Sequence, residues 1–290
     1  MQQHLDEFLA SKGGTDGIHE TGTPELVVVQ TRMARLPDHM LYHPSLCMVV
    51  QGAKQVELGE QTLVFGEDQA LAVGLDLPVR STVLRGEGDT PYRSLVLSLD
   101  VPTLQEIQKQ LGTIATSASG EGPGLFVLNL DPELQDALLR LLRLPDQNAR
   151  LVLGPSIVRE IHYRLLTGPH GGAFARIAYP TGHTRRIALA IHSIQEDLTR
   201  PLRIEVLAQS VGMSPSAFHQ HFKEQTAQSP LQYQKRLRLL EARRQMLTTG
   251  ANSAEAAFGV GYQSTSQFSR EYARLFGAPP RRDVTEQRSI

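Results

Sequence analysis

Cysteine is almost absent from this sequence. Cys47 is the single thiol in 290 residues, which excludes an intramolecular disulfide framework and fits a reducing compartment. Long apolar runs are missing too, for none approaches the roughly 20 residues needed to cross a bilayer. The opening residues, MQQHLDEFLASKGG, have no basic start followed by an apolar core, so no secretory signal is expected there. No segment is of low complexity. A cytoplasmic protein with no membrane partner is the expectation.

What is present is ordinary in bulk and uneven along the chain. The length suffices for two domains with substantial cores, and 40% hydrophobic with 20% charged residues fits a soluble globular protein. Residues 1–180 hold 14 Lys and Arg against 21 Asp and Glu, a net −7, whereas 181–290 hold 15 against 9, a net +6. An acidic front and a basic back suggest an anionic partner for the basic half. Unevenly solvated surfaces are the alternative reading of the same charges.

From Pro24 to Leu99 the texture is β. The runs LVVV (26–29), LCMVVQ (46–51), QVEL (55–58), TLVF (62–65), ALAV (70–73) and YRSLVLSL (92–99) are punctuated by Gly52, Gly59–Glu60, Gly66–Asp68, Leu77–Pro78 and Gly86–Asp89. Strands this short and this spaced predict an antiparallel sandwich or small barrel. Residues 1–22 read as a short helical or frayed leader ending in Gly- and Thr-rich coil. After Val101 the spacing predicts a helix over 102–111 and a Gly/Ser/Ala-rich loop over 113–124. Asp131 and Pro132 then open a helix with Leu134, Leu138, Leu141 and Leu142 on one face. A further helix is expected from near Pro155 to Gly168, and GPHGG at 168–172 reads as the start of a linker.

From about His183 the pattern is helical throughout. Helices are expected over 186–198, 204–211 and 215–225. Ser229–Pro230 then opens a longer one with Tyr233, Leu237, Leu240 and Leu247 inward. Two stretches in this region echo each other: GMSPSAFHQHFKEQTAQSP at 212–230 and GYQSTSQFSREYARLFGAPP at 261–280. Ala208, Val211 and Gly212 match Ala257, Val260 and Gly261 at an offset of 49, while Phe218 and Phe222 match Phe268 and Tyr272 at 50. A short helix, a Gly-containing turn and a second helix make a helix-turn-helix unit, here duplicated.

Helical geometry sorts the faces of each second helix. With Phe218 and Phe222 inward, Ser216, Gln220 and Lys223 lie outward and His219 flanks them. With Phe268, Tyr272 and Leu275 inward, Ser266 and Arg270 lie outward, flanked by Gln267 and Ser269. Small, hydrogen-bonding and cationic side chains suit base edges in a major groove, where Arg matches guanine and Gln adenine. Ser264 and Gln267 also spell a capping box, which would occupy Gln267 with the backbone instead. His219 and His221 point about 200° apart and are no metal pair. The helix from Pro230 to about Thr248 is roughly 27 Å long, of the order of one duplex turn. Its Lys235, Arg236, Arg238, Arg243 and Arg244, with Lys223, are candidate phosphate contacts; a solvated face is the alternative for each.

The chain over 183–282 resembles the AraC family of bacterial transcription regulators. PLRIEVLAQSVGMSPSAFHQHFKEQTAQSP, RLRLLEARRQML and AAFGVGYQSTSQFSREYARLFGAPP carry the likeness. The resemblance implies that Ser216, His219 and Gln220 face bases in the first unit, and Thr265, Ser266, Gln267 and Arg270 in the second. Two positions depart from the family pattern: Ala227 replaces a helix-closing Gly, and His192 stands where Trp is common, which reads as a packing change. Over 24–175, PSLCMVVQGAKQVELG and GPSIVREIHYRLLTGPHGG resemble a cupin-like AraC-type regulatory domain, which binds an effector or dimerises.

Metal-dependent cupins are the rival class, and they need His-x-His with a downstream Glu and His. Here His39 and His43 stand four apart, and no further His precedes His162. No metal, cofactor or catalytic residue is therefore expected. His39, Tyr42, His43 and Cys47 cluster near a strand start and are candidates to line an effector pocket or meet an electrophile; a structural role is the alternative, and a lone buried Cys is usually a small hydrophobe.

The expected architecture is a two-domain α+β chain. Residues 1–175 form a cupin-like barrel (about 24–100) with following helices (about 101–168). Residues 176–290 form an all-α DNA-binding domain with helix-turn-helix units at about 202–228 and 252–278, joined by a linker helix at about 230–248. The expected function is a non-enzymatic regulator that binds double-stranded DNA and whose N-terminal domain senses a small molecule or dimerises, with a small-molecule effector and a homodimer as the expected partners. By family it is an activator, with RNA polymerase as the further partner. A dimerisation scaffold without an effector is the alternative.

Overall fold

A computed structural model describes residues 1–32, 39–84, 90–112, 124–180 and 182–288. Short apolar runs separated by turns give ten strands among these residues: β1 (Gly17–Glu20), β2 (Leu26–Thr31), β3 (His39–Tyr42), β4 (Ser45–Gln51), β5 (Ala53–Leu58), β6 (Gln61–Gly66), β7 (Gln69–Val73), β8 (Leu77–Leu84), β9 (Tyr92–Ser98) and β10 (Leu125–Asn129). They pair antiparallel in a six-stranded sheet, β1-β2-β9-β4-β7-β10, and a four-stranded sheet, β3-β8-β5-β6. Strand side chains alternate between faces, and the large sheet is covered on both. Cys47, Val49, Leu71 and Val73 face the small sheet, where Val56, Leu58, Phe65 and Val79 meet them. Leu46, Met48, Ala70 and Ala72 face helices. That double burial is why LCMVV and ALAV are unbroken apolar runs.

The sequence reading passed over β1, β3, β8 and β10. Leu77–Pro78 reads as punctuation, yet Pro78 pairs with Leu41 while the β5 ladder begins only at Arg80, so its missing N–H costs that ladder nothing. Gly86–Asp89 and 113–123 of the expected loop lie outside the described residues.

Helices α1 (Gln2–Ser11), α2 (Val101–Leu111), α3 (Pro132–Leu142), α4 (Gln147–Thr167) and α5 (Gly171–Ala178) cover the outer face of the large sheet. Asp100, Asp131 and Asp146 each cap a helix by accepting the N–H of Thr103, Leu134 and Ala149. The Asp146 cap corrects the expected helix start near Pro155, because α4 begins eight residues earlier and runs through that proline. Pro155 has no N–H for the carbonyl of Leu151, which lies on the exposed side. GPHGG is not a linker either. It turns directly into α5, whose Phe174, Ala175 and Ala178 are buried. A Cβ on Gly171 would sit 2.0 Å from the Leu166 carbonyl oxygen, so only glycine allows this turn.

The second half is all-α: α6 (Gly182–Glu196), α7 (Ile204–Ser210), α8 (Pro215–Thr226), α9 (Pro230–Thr248), α10 (Ser253–Gly259), α11 (Thr265–Phe276) and α12 (Pro280–Arg288). It has two separate cores. Tyr233 and Leu237 of α9 join α6, α7 and α8 in one, whereas Leu239, Ala242 and Met246 join α10 and α11 in the other. At 100° per residue those two sets lie about 190° apart around α9. Leu240 and Leu247, expected inward, are only half-buried, because the second unit takes the opposite face. The sequence reading did not anticipate α12.

The barrel touches the first helical unit closely. The Tyr233 hydroxyl donates to the Asp76 carbonyl at 2.7 Å, the Gln228 amide to that of Pro78 at 3.4 Å, and the Gly124 N–H to that of Gln225 at 3.2 Å.

Candidate nucleic-acid interface

The two helix-turn-helix units close their turns with the same bonds. Met213 N–H donates to Ala208 O at 2.9 Å, and Tyr262 N–H to Ala257 O at 3.0 Å. Gly212 and Gly261 hold φ 66 and 90 within these turns, a region L side chains rarely enter. Gly261 has a second reason to be glycine, since a Cβ there would lie 2.6 Å from the Thr199 backbone. Gln263 is the extra residue that changes the offset from 49 to 50. Ser214 and Ser264 cap α8 and α11 by accepting from Ala217 N–H and Gln267 N–H.

Phe218, Phe222, Phe268 and Tyr272 are fully buried. Opposite them, Ser216, His219, Gln220 and Lys223 of α8 and Ser266, Gln267 and Arg270 of α11 are exposed, with Thr265 half-buried. The Gln267 side chain completes no capping box. Its amide donates to Glu271 Oε1 at 3.2 Å, as that of Gln220 does to Glu224 at 2.9 Å. Arg270 and Lys223 make no ion pair among the described residues. Their charges face outward uncompensated.

The phosphate candidates on α9 divide sharply. Arg244 is exposed and paired to Glu241, and Lys235 is exposed with Nζ 2.7 Å from Glu271. Arg236 is half-buried, and burial pushes its guanidinium below the ordinary value. Arg238 donates to the carbonyls of Leu198, Thr199 and Arg200, tying α9 to the turn after α6. Arg243 is a correction. It is 7% exposed and forks onto Asp283 at 2.9 and 2.8 Å, beneath the Phe276 ring. Asp283 also accepts from the Tyr272 hydroxyl at 2.6 Å, so Arg243 anchors α12 and is out of a duplex's reach.

Ala227 keeps the geometry of the glycine it replaces, with φ 55 and its N–H donating to Lys223 O at 2.8 Å. His192 is corrected from a packing role, because its side chain is exposed and lies 3.3 Å from Glu196.

The four effector candidates do not converge. His43 is exposed and pairs with Asp76 at 2.6 Å, a hydrogen bond that raises its pKa. The His39 ring stands edge-on to Phe276 at 5.9 Å. Cys47 is buried between the sheets with the half-buried Tyr42, whose hydroxyl donates to Ser81. Lys54 was missed from sequence. It is buried between the sheets, with Nζ 5.2 and 5.9 Å from the centres of the Tyr42 and Tyr92 rings; the alternation of β5 puts it on the inward face with Val56 and Leu58, a signal its charge obscured.

Residues 22–173 match the family described as the AraC-type transcriptional regulator N-terminus, and 207–284 match a helix-turn-helix domain. A putative AraC-like transcription regulator of Streptomyces lividans is 32% identical over 126 residues, covering 43% of this chain and 40% of that protein. The HTH-type transcriptional activator RhaS of Escherichia coli strain SE11 is 26% identical over 103 residues, 36% of this chain and 37% of RhaS. The chain thus spans two fifths or less of these relatives. In overall fold it is similar to ToxT of Vibrio cholerae strain SCE256 crystallised with an unsaturated fatty acid, at a TM-score of 0.62 and 11% identity, covering 89% of this chain and 94% of ToxT. With one family match running over more than half its length, the chain belongs to the AraC-type transcriptional regulators.

Proposed function

We propose that this protein is a sequence-specific regulator that reads double-stranded DNA with α8 and α11 and activates transcription through contact with RNA polymerase. One observation carries the reading: two units with matching turns stand on opposite faces of one rigid helix and present different exposed side chains. Ser216, His219, Gln220, Thr265, Ser266, Gln267 and Arg270 are the proposed base contacts; Lys223, Lys235, Arg236 and Arg244 are the proposed phosphate contacts, leaving out Arg238, whose donors are taken by three carbonyls, and the buried Arg243. RhaS, named an activator, supports the mode of action. The ToxT complex with a fatty acid supports a small-molecule effector in the N-terminal half, acting through domain docking. Exposed Leu151, Val152 and Leu153 at the start of α4 support a homodimer with a second copy of this chain.

Electrophoretic mobility shift of the full chain on DNA upstream of its own gene tests the reading. Binding is expected to weaken steeply between 50 and 200 mM salt, because phosphate contacts release counterions. Absence of any shifted band at low salt contradicts it.

A further inference from the structure

A cleft of about 530 Å³ lies where the barrel, α5, α6 and α8 meet. Leu75, Phe126, Ile177 and Ala188 give it apolar walls, and among the described residues no acidic side chain lines it. Two cationic or ionisable groups do: Arg176, from the last turn of α5, and His170, stacked on Phe126 at 5.6 Å. Arg176 makes no ion pair among the described residues.

The far wall holds Gln225, in the last turn of α8 and 9% exposed. Its amide nitrogen donates to Thr184 Oγ1 at 3.1 Å, while Oε1 is buried with no partner among the described residues. Exchanging the amide atoms does not help. The Thr184 hydroxyl would then donate to the oxygen, and the NH₂ group would have no acceptor. A buried amide end left unpaired is costly, because it has given up water and gained no partner. Sites of this make-up, apolar with a few convergent polar groups at a domain junction, are where small molecules bind.

We propose that this cleft binds an amphipathic organic acid, with its carboxylate on Arg176, its apolar body between Phe126 and Ile177, and a hydroxyl at Gln225. The proposal rests on the effector reading above and deepens it. A ligand held this way spans from α5 of the N-terminal domain to α8, the first reading helix. Its binding energy depends on how those two parts are docked, so it biases the presentation of α8 to DNA. Arginine suits a carboxylate through its planar fork of donors, and no described residue pairs that fork with an acid.

The test is thermal unfolding and DNA binding of the full chain with 4-hydroxyphenylacetate, 4-hydroxybenzoate and 8-hydroxyoctanoate, each beside its neutral amide. At least one acid is expected to raise the melting temperature by ~2–4 °C at saturation and to change DNA affinity by ~5-fold or more, its amide doing neither. Arg176→Gln and the cleft-filling Ala188→Phe are both expected to abolish the response while ligand-free DNA binding stays at the wild-type level. No response to any acid, or an equal response to acid and amide, overturns the proposal. Responses undiminished in both variants overturn the site while leaving an effector elsewhere. Ligand-free DNA binding, read in the same preparation, reports separately on the regulator reading.

Discussion

Ala227 closes α8 at φ 55, a conformation that costs a residue with a Cβ about 1–2 kcal/mol. The side chain that makes this costly also packs against the interior of the barrel, beside Gly59 in the two-residue β5–β6 hairpin. Gly59 has φ 61, and a Cβ there would come within 2.6 Å of the Ala227 Cβ. Gly59→Ala is therefore expected to lower stability by ~1–3 kcal/mol. Ala227→Gly in the same chain should recover part of the loss, with a coupling above ~0.5 kcal/mol in a double-mutant cycle of denaturant unfolding; strictly additive effects would show that the two residues do not meet. The family resemblance marked position 227 as unusual, but a contact with residue 59 was beyond any local pattern.

His162 is fully buried in α4. Its Nδ1–H donates to Val158 O at 2.7 Å, and Nε2 accepts the Asp100 N–H at 2.9 Å, so the ring is neutral and pins α4 to the cap of α2. Burial lowers its pKa. The unfolded chain, with a value near 6.5, takes up a proton that the native ring refuses. Its contribution is therefore present above pH ~6.5 and is lost as pH falls towards the lowered native value. Melting temperature should drop between pH 7 and 5.5. His162→Gln should flatten that drop while costing ~1–3 kcal/mol at pH 7.5; an unchanged acid limb would assign it to other groups.

At the scale of elements, α9 is the piece that organises the helical half. Its apolar stripe changes sides between Leu237 and Leu239, a switch that a search for one inward face reads as a single stripe with the wrong members. The inward and outward faces of α8 and α11 were legible because two aromatics four apart fix each helix's rotation. Helix α12 was not legible. PRRDVTEQR is almost wholly polar, and its anchor is a carboxylate whose partner, Arg243, lies 40 residues away. Removing one member of such a buried pair leaves the other uncompensated. Arg243→Ala should cost ~3–5 kcal/mol, measured by denaturant unfolding of the second half's transition. Native-like stability with weakened DNA binding would return Arg243 to the phosphate set.

For the whole molecule, the charge split that hinted at an anionic partner coincides with the change from β-rich to all-α structure. Strand runs and caps made both halves readable, whereas their docking was not, since Asp76, Pro78 and Gly124 bond to residues 101 to 157 positions away. Different outward sets on α8 and α11 mean that each chain should read an asymmetric site. Arg270, exposed and unneutralised in the middle of α11, should specify one base pair by ~1–3 kcal/mol. The most direct measurement is selection of DNA from a random pool by the full chain and by Arg270→Ala. Two unlike motifs about one helical turn apart are predicted, with Arg270→Ala relaxing a single position in one of them. Recovery of one motif alone, of two identical motifs, or of uniform weakening by Arg270→Ala would contradict the account of two distinct reading helices.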